Sequence, residues 1–144
     1  ESGSMMVCPA SKTGKFLGKT DRQRYDTLQW LMFQMGGVGP MLGQCHHFRI
    51  YAPEKIEYAI NRYTNEAKRL YGVMDKQLAK SAFIAGKSYT IADMAVLPWV
   101  RNLVGFYEAG ELVGIDDFAH VKRVLAAFVA RPAVARGLNI PLRG

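Results

Sequence analysis

Ser88-Tyr89-Thr90-Ile91-Ala92-Asp93-Met94 is the stretch that decides the fold, because it encodes the start of a helix. A threonine at a helix N-cap accepts a hydrogen bond from an amide of the first turn, and a side chain three residues later returns one to the cap. Thr90 and Asp93 have this spacing, and the apolar run 94–97 follows. Tyr89 is expected to pack on Met94 as a hydrophobic staple. The stretch therefore predicts a core helix that begins at Thr90.

Helical spacing of apolar residues continues on both sides of this stretch, and no run alternates as a strand would. Thr20 and Gln23 form a second capping box, which predicts a helix that reaches about Met35. The glycine-rich segment 36–40 predicts a break or sharp bend, followed by a short helical piece over 41–48.

The second half of the chain is also expected to be helical. Pro53 suits the first turn of a long amphipathic helix that extends to Leu78. Pro98 is expected to kink the helix that Thr90 begins. Apolar spacing predicts a further helix over 118–131 and a last turn or two over 133–138. The whole pattern indicates an all-α fold.

Composition limits the class of protein. A chain of 144 residues, 49% hydrophobic and 22% charged, suits one globular domain. Its two cysteines, Cys8 and Cys45, have no disulfide or zinc spacing, which favours a reducing compartment, and we expect the cytoplasm. Asp93 and Arg101 interrupt the apolar stretch 90–106, so we expect no membrane span.

Four basic residues, each seven positions after the one before, flank the apolar stripe of the long helix. They are Lys55, Arg62, Arg69 and Lys76. One interpretation is a solvated face whose aliphatic stems cover the edge of the core. The other is a site where a guanidinium clamps a carboxylate, which arginine does bidentately and lysine does not. Arg62 and Arg69 are therefore the candidates. The net charge of +7 favours anionic partners, but no recognition motif accompanies it, so we do not expect nucleic-acid binding.

Two further motifs each have a chemical and a structural interpretation. Cys8-Pro9 is typical of a thiol redox site at a helix N-terminus, where the dipole favours the thiolate, and its alternative is a small buried residue. His46 and His47 are adjacent, whereas metal-binding histidines on a helix prefer a separation of four. No Cys or acidic cluster accompanies them, so we expect a packed or hydrogen-bonded pair near a pocket, where either ring could contact a ligand, and no metal. No phosphate loop, catalytic triad or carboxylate pair can be assembled, so no catalytic residue is assigned.

Several short stretches together carry a family resemblance. They are Glu1-Ser2-Gly3, Lys12 to Leu17, Leu28-Gln29-Trp30-Leu31, Gly36 to Gln44, His46-His47-Phe48, Tyr58-Ala59-Ile60, Arg69-Leu70-Tyr71, Tyr89 to Trp99 and Arg131 to Val134. They resemble the glutathione transferase family, and most of all its bacterial nu-class group of glutathione-dependent disulfide-bond reductases. The resemblance implies a glutathione transferase C-terminal-like helical bundle over residues 18–144. Residues 1–17 would be a remnant of the last thioredoxin-domain helix and a linker.

The resemblance also implies a ligand and a partner. In the family a thioredoxin-like domain binds glutathione, and the helical domain supplies most of a second, hydrophobic pocket. Glu1 and Ser2 match the pair that holds the γ-glutamyl end of glutathione, with Ser2 at its carboxylate and Glu1 at its ammonium. Arg62 matches an arginine that reaches glutathione from the neighbouring subunit. We therefore expect glutathione as cosubstrate, no metal, and a homodimer.

The sequence departs from the family in two places. In the family a strand and loop place a side chain at the glutathione sulfur, and a cis-proline segment binds the cysteinyl backbone; neither has a counterpart in this sequence. Pro9 falls where the family has a continuous helix, and we expect the helix that begins at Glu1 to be shortened or lost. The resemblance thus implies disulfide reduction or conjugation by an intact form and no activity of this chain alone. The alternative is a non-catalytic helical module for dimerisation or scaffolding. Core or pocket positions are expected for three aromatic residues: Trp30, Phe33 and Trp99.

Overall fold

A computed structural model describes residues 1–140, and within them eight α-helices carry the fold. Their bounds are α1 Ser2–Thr13, α2 Asp21–Phe33, α3 Gly39–His46, α4 Glu57–Leu78, α5 Ile91–Arg101, α6 Gly110–Val113, α7 Ala119–Val129 and α8 Pro132–Gly137. Between residues 1 and 140 the β pairing consists of one isolated bridge, from Phe83 to Gly86. The predicted all-α fold is confirmed, and the last four residues of the expected domain 18–144 lie outside the described residues.

The buried start of α5 has the geometry that the sequence predicts. The Thr90 amide donates to Asp93 Oδ2 at 2.9 Å, and Thr90 Oγ1 accepts from the amide of Ala92 at 3.3 Å. The sequence did not reveal a third contact, in which the Ile84 amide donates to Asp93 Oδ1 at 2.9 Å. Burial raises the pKa of Asp93, although its hydrogen bonds with Ile84 and Thr90 act in the opposite direction. Asp93 therefore ties the preceding loop to the helix as well as capping it.

Tyr89 lies in an aromatic cluster beside this cap. Its ring meets Phe16 at 6.2 Å and Phe83 at 5.7 Å between centroids, both edge to face. The Arg131 guanidinium lies 3.8 Å from the Tyr89 ring centroid. Tyr89 packs against one cluster of core residues and Met94 against another. The ring thus connects the loop before α5 to the segment just before α8.

Two clusters of buried residues form the core, and α5 contributes to both. One face of α5 places Ile91 and Ala95 with Leu31 in the smaller cluster. Another face places Val96 and Val100 in the larger cluster with residues of α3, α4 and α7. This is the core helix that the capping box predicted. Across residues 1–140, no helix has the length and apolar character that a membrane span requires.

The glycine-rich segment 36–40 does not interrupt the helical conformation of the chain, so the predicted break is wrong. The π-helical segment Gln34–Val38 joins α2 directly to α3, and a second one, His47–Tyr51, extends α3. Glycine costs a helix about 1 kcal/mol per residue. Val38 and Leu42 are completely buried on either side of Pro40, and this packing outweighs the local preference.

Helix α4 begins four residues later than predicted. Residues 52–56 connect the preceding π-helical segment to α4, so Pro53 lies in a loop rather than in a first helical turn. Proline suits both positions, and the apolar stripe does not distinguish them. Lys55 therefore precedes the helix, and the basic row on α4 is reduced to three residues: Arg62, Arg69 and Lys76.

Helix α1 is continuous through Pro9, which corrects the expectation that this proline would shorten or remove it. An interior proline costs about 3 kcal/mol because it removes a helical hydrogen bond. The buried residues Gly3 and Ala10 line the face of α1, and the helix packs against α5. Burial of this face offsets the cost of the proline.

Helices α4 and α7 cap each other. Asp75 of α4 accepts hydrogen bonds through Oδ1 from the amides of His120 at 2.8 Å and Val121 at 3.0 Å. Arg123 of α7 donates through Nη2 to the carbonyl of Leu78, the last residue of α4, at 2.9 Å. Its guanidinium also reaches two carbonyls of the following loop. Asp75 thus places a negative charge at the N-terminus of α7, and Arg123 places a positive charge at the C-terminus of α4, which are the charges that the helix dipole favours at these ends.

Candidate functional site

An open pocket of about 420 Å³ runs along the exposed face of α4. Helical residues three and four positions apart share a face, and the pocket follows this spacing for three turns. Its lining consists of six residues: Tyr58, Asn61, Arg62, Asn65, Glu66 and Arg69. Both arginines that the sequence singled out therefore lie in one pocket.

Arg69 is already paired inside this pocket. Its Nε donates to Glu66 Oε2 and its Nη2 to Glu66 Oε1, both at 2.8 Å, which is a bidentate contact. The hydrogen bond from Arg69 lowers the pKa of Glu66, against a smaller effect of burial. The two charges compensate each other, so Arg69 is occupied by a partner from its own helix.

Arg62 is the cation that the pocket leaves available. Its guanidinium carbon lies 5.8 Å from the ring centroid of Tyr63, which stacks on Phe48 with 5.4 Å between centroids. Over residues 1–140 no hydrogen bond or ion pair engages the Arg62 guanidinium. The side-chain amides of Asn61 and Asn65 line the same pocket. A guanidinium beside two amides can hold a carboxylate by charge-assisted hydrogen bonds.

A second pocket, of about 410 Å³, lies between α1 and α5. It is lined by Ser2, Met5, Met6, Gln34, Met94, Ala95 and Trp99. Glu1 is exposed at the N-cap of α1, and its side chain makes no capping hydrogen bond. Within one chain the structure therefore separates Ser2 from Arg62, which lines the pocket on α4. Sequence reasoning missed Gln34, because a single glutamine in an apolar stretch carries no motif.

The other sequence candidates occupy different environments from those that the sequence suggested. Cys8 is exposed in the interior of α1, so it has neither the helix N-terminus that the redox interpretation requires nor the burial of the alternative. The His46 ring stacks on Tyr107 with centroids 4.0 Å apart. Burial lowers the pKa of His46, and the charges of His47 and Arg49 lower it further. Within residues 1–140 no group of three or more His, Cys, Asp or Glu side chains could hold a metal ion.

Trp30, Phe33 and Trp99 are partly buried and pack against the larger core cluster. Trp30 and Phe33 meet edge to face with 5.1 Å between ring centroids. Trp99 also lines the pocket between α1 and α5. All three aromatics therefore have the expected contact with the core, and Trp99 also has the expected position in a pocket.

The chain matches known proteins over most of its length. The family pattern described as "Glutathione S-transferase, C-terminal domain" matches residues 38–132. Disulfide-bond oxidoreductase YghU of Escherichia coli is 50% identical over 140 residues, which cover 95% of this chain and 48% of that protein. Disulfide-bond oxidoreductase YfcG of the same organism is 53% identical over 101 residues, with coverages of 70% and 47%. The chain spans about half the length of these curated relatives.

Solved structures share the fold. A glutathione transferase from Burkholderia graminis, with two glutathione molecules bound per subunit, superposes with a TM-score of 0.95 at 53% identity, covering 100% of this chain and 61% of that chain. A glutathione transferase from Pseudomonas putida, with one glutathione disulfide bound per subunit, has a TM-score of 0.94 at 50% identity, with coverages of 98% and 62%. The helical architecture, the sequence identity and the matched residues together confirm the resemblance, and the chain belongs to the glutathione transferase family.

Proposed function

We propose that this chain is the helical part of a glutathione-dependent disulfide-bond reductase or transferase, and that Arg62 contributes to its glutathione site. The observation that carries the proposal is the unpaired Arg62 guanidinium in the pocket on α4. The oxidoreductase relatives YghU and YfcG, and the solved relatives that hold glutathione or its disulfide, support it.

The charges of the pocket suit one carboxylate of glutathione. Glu66 compensates Arg69, so the pocket retains one uncompensated cation. Glutathione has two carboxylates and one ammonium group, and Arg62 can bind one of these carboxylates bidentately. Glu1 and Ser2 provide a carboxylate and a hydroxyl, which are suitable partners for the γ-glutamyl ammonium and carboxylate.

A homodimer would allow these residues to act on one ligand. Ser2 and Arg62 line different pockets of the same chain. A ligand that contacts both residues would therefore receive Arg62 from a second copy, as the family resemblance implies. Sedimentation of the chain with and without glutathione disulfide would test this, and a monomer under both conditions would contradict it.

We also propose a division of labour along the chain. Residues 1–17 would contribute to the glutathione-binding region, and residues 18–144 would form the helical domain. No residue of the described chain is assigned a thiol-activating role, so that chemistry would be supplied outside the 144 residues. A reducing compartment such as the cytoplasm would suit the two unpaired cysteines and a thiol cosubstrate.

The binding experiment uses calorimetry with glutathione disulfide on variants of the basic row. Arg62→Ala is expected to weaken binding about tenfold, because a charge-assisted hydrogen bond is lost at an exposed site. Arg62→Lys should be intermediate, since lysine keeps the charge without the bidentate geometry. Lys76→Ala on the same helix lies outside the pocket and should bind as the wild type does. Equal affinity of the wild type and Arg62→Ala would remove Arg62 from the site.

The activity experiment separates the enzyme proposal from a scaffold module. The chain is mixed with glutathione and bis(2-hydroxyethyl) disulfide, and glutathione disulfide formation is compared with that of a heat-denatured control. We expect binding of glutathione disulfide without turnover. Saturable turnover by this chain would contradict the proposal that thiol activation lies outside it. Absence of both turnover and binding would favour the scaffold alternative.

A further inference from the structure

Glu66 lies between two arginines on the exposed face of α4. It follows Arg62 by four positions and precedes Arg69 by three, and side chains at both separations are neighbours on a helix. In the structure both carboxylate oxygens of Glu66 accept hydrogen bonds from Arg69, one from Nε and one from Nη2, each at 2.8 Å. Glu66 can therefore pair with either arginine, and the structure shows it paired with Arg69.

Two features favour this pairing. On a helix an acidic residue that precedes its basic partner gives a more stable pair than one that follows it, in agreement with the helix dipole. Arg69 follows Glu66, whereas Arg62 precedes it. The contact with Arg69 is also bidentate, which adds a second charge-assisted hydrogen bond. Pairing with Arg69 is therefore the preferred arrangement of the Glu66 carboxylate.

Glu66 would need another partner if Arg69 were removed. Its side chain is 20% exposed, and partial burial of an unpaired carboxylate is unfavourable. The hydrogen bond from Arg69 lowers the pKa of Glu66 against the effect of burial, and the charge of Arg62 lowers this pKa further. Arg62 is thus close enough to act on Glu66, and within residues 1–140 its guanidinium has no hydrogen bond or ion pair to give up. Without Arg69, the Glu66 carboxylate would turn to Arg62.

We propose that Arg69 is a positioning residue of the pocket on α4: it holds Glu66 away from Arg62, so that the Arg62 guanidinium stays free for the carboxylate of a ligand. Glu66 and the ligand carboxylate compete for the same cation, and Arg69 decides this competition without contacting the ligand. The inference rests on the proposed function, in which that ligand is glutathione or its disulfide. It deepens the proposal by giving Glu66 and Arg69 roles at the same site.

Calorimetry with glutathione disulfide on variants of this pair tests the inference. Arg69→Met keeps the aliphatic stem, and it should weaken binding about threefold, because the ligand must then displace Glu66 from an exposed ion pair with Arg62. Adding Glu66→Gln to Arg69→Met should restore the wild-type affinity, since the competing carboxylate is removed. Arg69→Lys should be intermediate, because lysine keeps the charge without the bidentate geometry. Lys76→Met removes the same charge from α4 outside the pocket and should bind as the wild type does.

A second measurement detects the change of partner without a ligand. The Nε–H signal of Arg62 is followed by NMR in the isotopically labelled chain. This signal should shift in Arg69→Met, where Glu66 becomes the hydrogen-bond acceptor of Arg62. It should return to its wild-type position when Glu66→Gln is added. An unchanged Arg62 signal in Arg69→Met would overturn the inference.

The binding results separate this inference from the proposed function. If Arg62→Ala weakens binding but Arg69→Met does not, the inference alone fails. A double variant that binds as weakly as Arg69→Met would show that Arg69 contacts the ligand itself, and this also overturns the inference alone. Equal affinity of the wild type and Arg62→Ala would instead remove Arg62 from the site and refute both.

Discussion

Replacement of Asp93 by alanine should destabilise the chain far more than the equivalent change in its other capping box. Asp93 is completely buried, and it accepts hydrogen bonds from the amides of Thr90 and Ile84, both at 2.9 Å. Gln23 makes the corresponding contact at the surface, where its Oε1 accepts from the Thr20 amide at 3.3 Å. The two alanine variants differ mainly in whether water can replace the lost acceptor.

The contacts of each side chain set the expected magnitudes. An amide left buried without an acceptor costs about 1 to 2 kcal/mol, so the loss of two such bonds at Asp93 should cost about 3 kcal/mol. An exposed cap contributes about 0.5 to 1 kcal/mol, which is the cost expected for Gln23→Ala. For a chain of 144 residues, 1 kcal/mol corresponds to about 3 °C in the unfolding midpoint. The expected decreases are therefore about 9 °C for Asp93→Ala and about 3 °C or less for Gln23→Ala.

Thermal and urea unfolding followed by circular dichroism would measure both variants under the same conditions. Asp93→Asn adds a third measurement, because asparagine keeps the shape but retains only one acceptor oxygen for the two amides. Its midpoint should lie between those of the wild type and Asp93→Ala. Equal midpoints for Asp93→Ala and Gln23→Ala would refute the reasoning, since burial would then have no effect on the energy of the cap.

Three further predictions concern the remaining polar contacts. Asp75→Ala should cost about 1 to 2 kcal/mol, because it leaves the first turn of α7 uncapped, and Asp75→Asn should recover most of this in urea unfolding. Arg123→Met keeps the aliphatic stem of the side chain and should cost about 1 kcal/mol through lost hydrogen bonds. The cost of the double variant, Asp75→Ala with Arg123→Met, should be smaller than the sum of the two single costs, because the two caps join the same pair of helices. The pKa of His46 is lowered in the folded state, so its contribution to stability is complete above the unfolded value of about 6.5 and is lost as the pH falls through the folded value. His46→Phe, which keeps an aromatic ring on Tyr107, should flatten this dependence in urea unfolding as the pH falls from about 7.5 to about 5.

Each of these predictions has an outcome that would contradict it. A wild-type urea midpoint in Asp75→Ala would mean that water caps α7 equally well. Full additivity of Asp75→Ala and Arg123→Met would show that the two caps act independently. A wild-type pH dependence in His46→Phe would assign the titration in this window to another group.

Part of the candidate site was accessible from the sequence. The seven-residue spacing of Arg62 and Arg69 predicted that both would lie on one face of α4, and the pocket contains both. The sequence could not distinguish them, because that difference depends on Glu66, whose rotamer pairs it with Arg69. The available charge of Arg62 is thus a property of side-chain geometry rather than of spacing.

The sequence by itself determined the helix starts at Thr20 and Thr90 and the stripe of α4, because caps and apolar periodicity act between residues at most four positions apart. Tertiary structure decided the features that join distant segments. Packing across the core keeps the chain helical through segment 36–40 and keeps α1 intact at Pro9. The contact between Ile84 and Asp93 likewise depends on how a loop folds back onto α5. Such contacts gain their energy from burial, and the local pattern of residues does not encode which surfaces will be buried together.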